Sequence, residues 1–143
     1  RDAVMERAEV LAEFARFGIL PTPQRLEIAE ILFEKPQHLS AEQIIDRLRA
    51  GRSGVSKATV YNTLNLFSER GLVRECLVDP ERRFYDSNTR QHHHFYNVDT
   101  GQLTDIPRSE IRLEEFPEFP KGVRLDQVEV LIKVRNRPAK DLA

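Results

Sequence analysis

The chain has 143 residues, 40% of them hydrophobic and 31% charged, with a net charge of −1. That is enough for one ordinary domain or two small ones of soluble composition, and the near-neutral charge argues against bulk electrostatic attraction to nucleic acid. A single cysteine, Cys76, excludes an internal disulfide and a structural zinc site built from four cysteines. No apolar run approaches a membrane span and no secretory apolar segment follows the N-terminus, so a soluble, cytoplasmic protein is expected.

Residues 3–17 place Val4, Ala8, Leu11, Phe14 and Ala15 at three- and four-residue spacings, which predicts an amphipathic helix ended by Gly18. Thr22-Pro23 offers a cap followed by proline at the first helical position. The helix it opens runs to about Glu34, with Leu26, Ala29, Ile31, Leu32 and Phe33 inward and Pro36 as its stop. Ser40 and Gln43 form a capping box for a third helix carrying Ile44, Ile45 and Leu48. Ser56 caps a fourth, whose buried stripe is Val60, Leu64 and Phe67 and whose end is Gly71. The period then changes. Leu72 to Val78 reads as a strand, Asp79-Pro80-Glu81-Arg82 as a turn, and Arg83 to Asp86 as the returning strand.

Helices followed by a two-stranded hairpin make a winged helix-turn-helix, with the fourth helix as reader and the hairpin as wing. That helix exposes Ser56, Lys57, Thr59, Tyr61, Asn62 and Thr63, groups that suit phosphates and base edges in a major groove. The bland reading is a solvated helix face. Residues 1–90 carry as many basic as acidic side chains, so DNA affinity must come from the placement of Arg25, Lys57, Arg82 and Arg83 and from dimerisation.

Residues 87–91 are short and polar, and read as a hinge. His92 to Val98 and Gln102 to Ile106 then read as strands about an Asp99-Thr100-Gly101 turn. A brief helix is expected near Ser109–Glu115, and a third strand over Val123–Val134 with Val128, Val130, Ile132 and Val134 alternating. So little structure buries little alone, which predicts packing against a second copy. Three of the four histidines stand together at His92, His93 and His94. On a strand, His92 and His94 share one face and His93 takes the other. Two imidazoles on one face with carboxylates in reach are the material of a first-row metal site; the bland reading is a polar strand face.

The run Pro21-Thr-Pro-Gln-Arg25, then His38-Leu-Ser-Ala-Glu42, Ala58-Thr-Val-Tyr-Asn62, the Gly71-Leu-Val entry to the wing and the histidine run resemble the ferric uptake regulator (Fur) superfamily over nearly the whole chain. The resemblance implies an α+β protein: an N-terminal winged helix-turn-helix (residues 1–86), a hinge (87–91) and a small α/β dimerisation and metal-sensing domain (92–143). It implies a homodimeric repressor on palindromic double-stranded DNA, not an enzyme. The family's regulatory metal site falls on His38, Asp86, His92, His94 and Asp105, for Fe(II) or Mn(II), with Zn(II) an in vitro substitute. Against that stand simpler roles: His38 as a loop-entry residue by helix three, Asp105 as a strand-edge charge. Asn97 and Thr100 occupy the places of one family Cys-x-x-Cys pair, so structural zinc is not expected.

The missing cysteines and the Phe116-Pro-Glu-Phe-Pro-Lys-Gly122 segment look most like the iron response regulator branch, which implies control of iron and haem genes. That branch associates the histidine run with haem, His93 included, and the broader family's second site would keep His93 although its other positions do not match. The peroxide regulator branch, in which Fe(II) at the site reacts with hydrogen peroxide and a ligand histidine is oxidised, shares the same ligand set. A non-haem metalloenzyme is a remote rival, since no positioned acid/base pair accompanies the histidines. Cys76 reads as a small strand residue rather than a nucleophile.

Overall fold

The computed structural model describes residues 5–141 and divides into two compact units, one running to Thr89 and the other starting at Arg90. In the first unit α1 spans Arg7–Arg16, α2 Pro23–Leu32, α3 Ala41–Ala50 and α4 Lys57–Arg70. Their starts follow the sequence signals. Thr22 Oγ1 accepts from the Arg25 N–H and Ser56 Oγ from the Thr59 N–H, each at 3.2 Å. Ser40 and Gln43 cap one another reciprocally. Gly71 ends α4 at φ +84°, a left-handed conformation that glycine takes without a Cβ clash.

The first helix is rotated from its expected orientation. Val10 and Phe14, four residues apart, are fully buried, whereas Ala8, Leu11 and Ala15 face solvent. Val4 lies outside the described residues. The Phe14 ring meets Phe67 of α4 at 5.5 Å between centroids, and this contact decides which face of α1 turns inward. Ile28, Leu32, Ile44, Val60 and Leu64 complete the fully buried centre. At about 1.5–3 kcal/mol per buried aliphatic or phenyl side chain, that centre holds the unit together.

A strand precedes α3 where the sequence suggested loop. β1 (His38–Ser40) pairs with β3 (Arg82–Asp86), which pairs with β2 (Arg74–Asp79), all antiparallel, in the order β1-β3-β2. Three residues are too few to show a period of two, so β1 is invisible in the sequence. It buries Leu39, 2% exposed, in the core, which leaves His38 and Ser40 on the opposite face. Leu72 and Val73 are buried in the connection before β2 rather than in the strand itself. The chain is thus an α+β protein with an N-terminal winged helix, as expected.

In the second unit β4 (His93–Asn97) lies between β5 (Leu103–Ile106), antiparallel to it, and β6 (Leu131–Val134), parallel to it. The expected helix near Ser109–Glu115 is one 3₁₀ turn, Arg108–Glu110, and the strand expected over Val123–Val134 is confined to β6. Pro107, Pro117 and Pro120 withhold backbone donors along that segment. Within β6 the alternation fails too: Ile132 is exposed while Leu131 and Val134 are half-buried. The turn between β4 and β5 is clasped by Asn97. Its Oδ1 accepts from the Asp99 and Thr100 N–H groups at 2.9 and 3.1 Å, and its Nδ2 donates to Asn136 Oδ1 at 2.8 Å. Tyr96, Leu103 and Ile106 are buried, but Phe95, Leu113, Phe116, Phe119, Val123, Leu125 and Ile132 stay exposed.

Candidate metal centre

In the first unit, the β1–β3 register sets His38 opposite Asp86. His38 Nε2 lies 3.0 Å from Asp86 Oδ2, and both side chains are largely buried. The other Asp86 oxygen accepts the Asn88 N–H at 2.8 Å, which fixes the carboxylate at the strand end. His38 therefore stands on a strand and pairs across it, where the sequence offered a loop-entry residue as the alternative to a metal ligand.

In the second unit, His94 of β4 and His92 just before the strand bring their rings together, with centroids 4.5 Å apart and edge to face. The register sets His94 opposite Asp105. One oxygen, Asp105 Oδ1, lies 3.2 Å from His92 Nε2 and 3.4 Å from His94 Nε2. The histidines are buried, whereas the Asp105 side chain is 42% exposed. His92 Nδ1 lies 2.5 Å from the Arg90 carbonyl, which can only accept, so Nδ1 carries a proton. A neutral His92 then points a lone pair from Nε2 at a carboxylate oxygen. Two acceptors facing each other call for a positive charge, either a second proton on the ring or a metal ion. Imidazole nitrogens oriented through a carbonyl on the far side, beside a carboxylate, fit a first-row divalent ion.

His93 takes the opposite face, as strand alternation requires. Its Nδ1 accepts the Val130 N–H at 2.9 Å, so it ties the approach to β6 onto β4. Burial pushes its imidazole below the ordinary value, with Arg108, His92 and His94 adding in that order and Glu129 opposing. A cleft of about 350 Å³ opens beside it, lined by Arg108, Ile111, Phe116 and Leu125 among others. No local pattern in the sequence announces this backbone partner of His93, because Val130 lies far along the chain.

The residues expected to meet DNA divide in two. Lys57, Tyr61 and Asn62 are exposed on α4, whereas Thr63 is 5% exposed and faces the core. Ser56 and Thr59 are joined at the helix start, with Ser56 Oγ donating to Thr59 Oγ1 at 3.0 Å. Arg25 is half-buried and donates from Nη1 to the Leu20 carbonyl at 2.7 Å. In the wing, Arg82 lies 3.7 Å from Asp79 and Arg83 3.7 Å from Glu75. Cys76 is a half-buried residue of β2.

A winged helix, and a β unit in which two imidazoles face one carboxylate, are the features of a DNA-binding, metal-responsive protein. Residues 17–132 match the family model of the ferric uptake regulator family, and the chain belongs to that family. Its members are metal-dependent transcriptional regulators, and this chain is one of them. The chain is 32% identical to the peroxide-responsive repressor PerR of Staphylococcus aureus over 122 residues, covering 85% of this chain and 77% of the relative. The ferric uptake regulator of Pseudomonas aeruginosa, solved with manganese, aligns at TM-score 0.68 and 25% identity, covering 90% of this chain and 98% of that one. The regulator of Francisella tularensis, solved with iron, aligns at TM-score 0.70 and 22% identity over 85% and 94% of the two chains; at that identity it supports the fold alone. No helix among the described residues is long and apolar enough to cross a membrane.

Proposed function

We propose that this protein is a homodimeric, cytoplasmic repressor of iron or haem homeostasis genes, with no enzymatic activity. Residues 1–86 bind DNA, residues 87–91 are a hinge, and residues 92–143 dimerise and sense metal. His38 and Asp86, together with His92, His94 and Asp105, hold one divalent ion per subunit, Fe(II) or Mn(II) in preference to Zn(II). The observation that carries this reading is the donor chemistry around Asp105 Oδ1, where two imidazole nitrogens face one carboxylate oxygen. Each unit by itself offers fewer donors than the four to six such an ion takes, and the two sets together reach that range. A bound ion supplies a fixed charge that all these nitrogens and oxygens can face at once. The chain's own residues do the coupling: His38 and Asp86 are on the strands of the wing sheet, while in the second unit His94 and Asp105 are on strands and His92 directly precedes β4. Holding both sets fixes the separation of the two reading helices in a dimer, and so the fit to a palindromic operator. The exposed apolar side chains of the second unit support a second copy as its cover. In this reading Arg25, Ser56, Lys57, Thr59, Tyr61 and Asn62 meet the duplex.

The test is binding to duplexes selected from a randomised pool, metal-free and with Mn(II), for wild type, His38→Ala and His92→Ala. Metal should tighten wild-type binding at least tenfold, and both substitutions should remove that gain. Equal affinity with and without metal refutes the regulatory ion.

The similarity to PerR favours peroxide sensing as a second reading. Peroxide should then weaken DNA binding by the Fe(II)-loaded protein, spare the Mn(II)-loaded protein, and add oxygen to a peptide carrying one of the ligand histidines. Haem is the third signal to check, by a visible-absorbance titration of wild type against His93→Ala.

A further inference from the structure

Tyr61 is 41% exposed on the early turns of α4, yet its hydroxyl is already engaged. It donates to Glu42 Oε1 at 2.7 Å, across 19 residues of sequence. Glu42 stands in the first turn of α3, where helix N-terminal N–H groups favour a carboxylate. Its own N–H, the Ser40 hydroxyl and the Lys57 charge also favour the ionised carboxylate. The acceptor is therefore anchored, and it anchors the phenol. A carboxylate on a face that meets phosphates opposes binding unless it performs another task.

The chemistry of the phenol defines that task. A tyrosine hydroxyl has one proton, and a carboxylate only accepts. With its proton committed to Glu42, the Tyr61 oxygen presents lone pairs outward, over a cleft lined by Glu42, Asn65, Arg83 and Tyr85. In the major groove, lone pairs match the amino groups of adenine N6 or cytosine N4, and clash with guanine O6 or thymine O4. We propose that Glu42 is a positioning residue that fixes Tyr61 as a hydrogen-bond acceptor, so that Tyr61 reads a base amino group. This rests on the reading of α4 as the DNA-contacting helix.

The experiment uses the Mn(II)-loaded full chain and two duplexes, one selected by wild type from a randomised pool and one scrambled. Glu42→Ala and Tyr61→Phe should each lower the selected-to-scrambled affinity ratio about tenfold. The double variant should be no worse than Tyr61→Phe alone, and Glu42→Gln, which keeps an acceptor, should stay within about threefold of wild type. Glu42→Ala should not weaken binding to the scrambled duplex. A second arm does not depend on Glu42→Ala folding. Deleting one base amino group, with purine for adenine or pyrimidinone for cytosine, should cost wild type about tenfold at one position and cost Tyr61→Phe nothing further there. Losses that multiply in the double variant, an equal loss on both duplexes, or a Tyr61-dependent position insensitive to amino deletion each overturn the proposal. In those cases wild type still selects a sequence, so DNA reading survives. A wild type that selects nothing overturns both.

Discussion

Replacing Asp86 by Asn separates the fold from the metal. The Asp86 carboxylate is buried, lies 3.0 Å from His38 Nε2 and accepts the Asn88 N–H at 2.8 Å. Asparagine keeps an oxygen for the Asn88 N–H but loses the charge facing His38. The difference between a charge-assisted and a neutral hydrogen bond is about 1 kcal/mol, so the metal-free variant should melt about 4–8 °C lower. Asp86→Ala, which also orphans the Asn88 N–H, should cost about 2–3 kcal/mol. Metal gives a different signal. With Mn(II) at about 100 times the wild-type Kd, binding adds about 2.7 kcal/mol to stability. Even outer-shell partners of a metal are worth 10–100-fold in affinity, so loss of a ligand should raise Kd by about 100-fold or more. At the same Mn(II) concentration the variant then gains only about 0.4 kcal/mol. Thermal melts of wild type and Asp86→Asn, each with chelator and with Mn(II), measure both quantities. If Mn(II) stabilises Asp86→Asn as much as wild type, Asp86 is not a ligand and the donor set fails.

Phe67→Ala should cost about 3–5 kcal/mol, because Phe67 is fully buried against Phe14; a urea midpoint unchanged within error would show that this core is not what holds the first unit together. The Tyr61 hydrogen bond, then the Glu42 N–H and the Ser40 hydroxyl, hold the Glu42 carboxyl below its ordinary value. A depressed folded-state value means that this contact stabilises above the ordinary carboxylate pKa and is lost as pH falls through the lower folded value. The same bond raises the Tyr61 phenol, so its contribution is complete below the ordinary tyrosine pKa and disappears as pH rises through the folded value. Burial raises the Tyr85 phenol as well, so tyrosinate absorbance should show a raised midpoint that disappears in Tyr61→Phe and falls in Glu42→Ala, and no change in that midpoint would refute the contact. Asn97→Ala should loosen the β4–β5 turn by about 1–2 kcal/mol, read as faster hydrogen exchange at the Asp99 and Thr100 amides with the first unit unaffected.

The sequence by itself determined whatever depends on near neighbours. Thr22, Ser40 and Ser56 announce helix starts because a cap acts two or three residues along the chain, and Gly71 announces an end because one backbone conformation requires it. The pairing of His92 with His94, and the exclusion of His93 from their face, follow from strand alternation alone. The family resemblance brought His38, Asp86 and Asp105 into one frame, which no local pattern does. The tertiary structure decided what depends on partners distant in sequence. It turned α1 onto Val10 and Phe14 because Phe67 waits there, and it drew Thr63 into the core. It gave β1 a place because β3 offers an edge, and that pairing is what sets His38 against Asp86. It confined β6 to Leu131–Val134, where β4 can pair with it, and gave His93 the Val130 N–H to hold. The Tyr61–Glu42 bond belongs to the same class, since the distance between two helices, not a spacing along either, allows a phenol to reach a carboxylate.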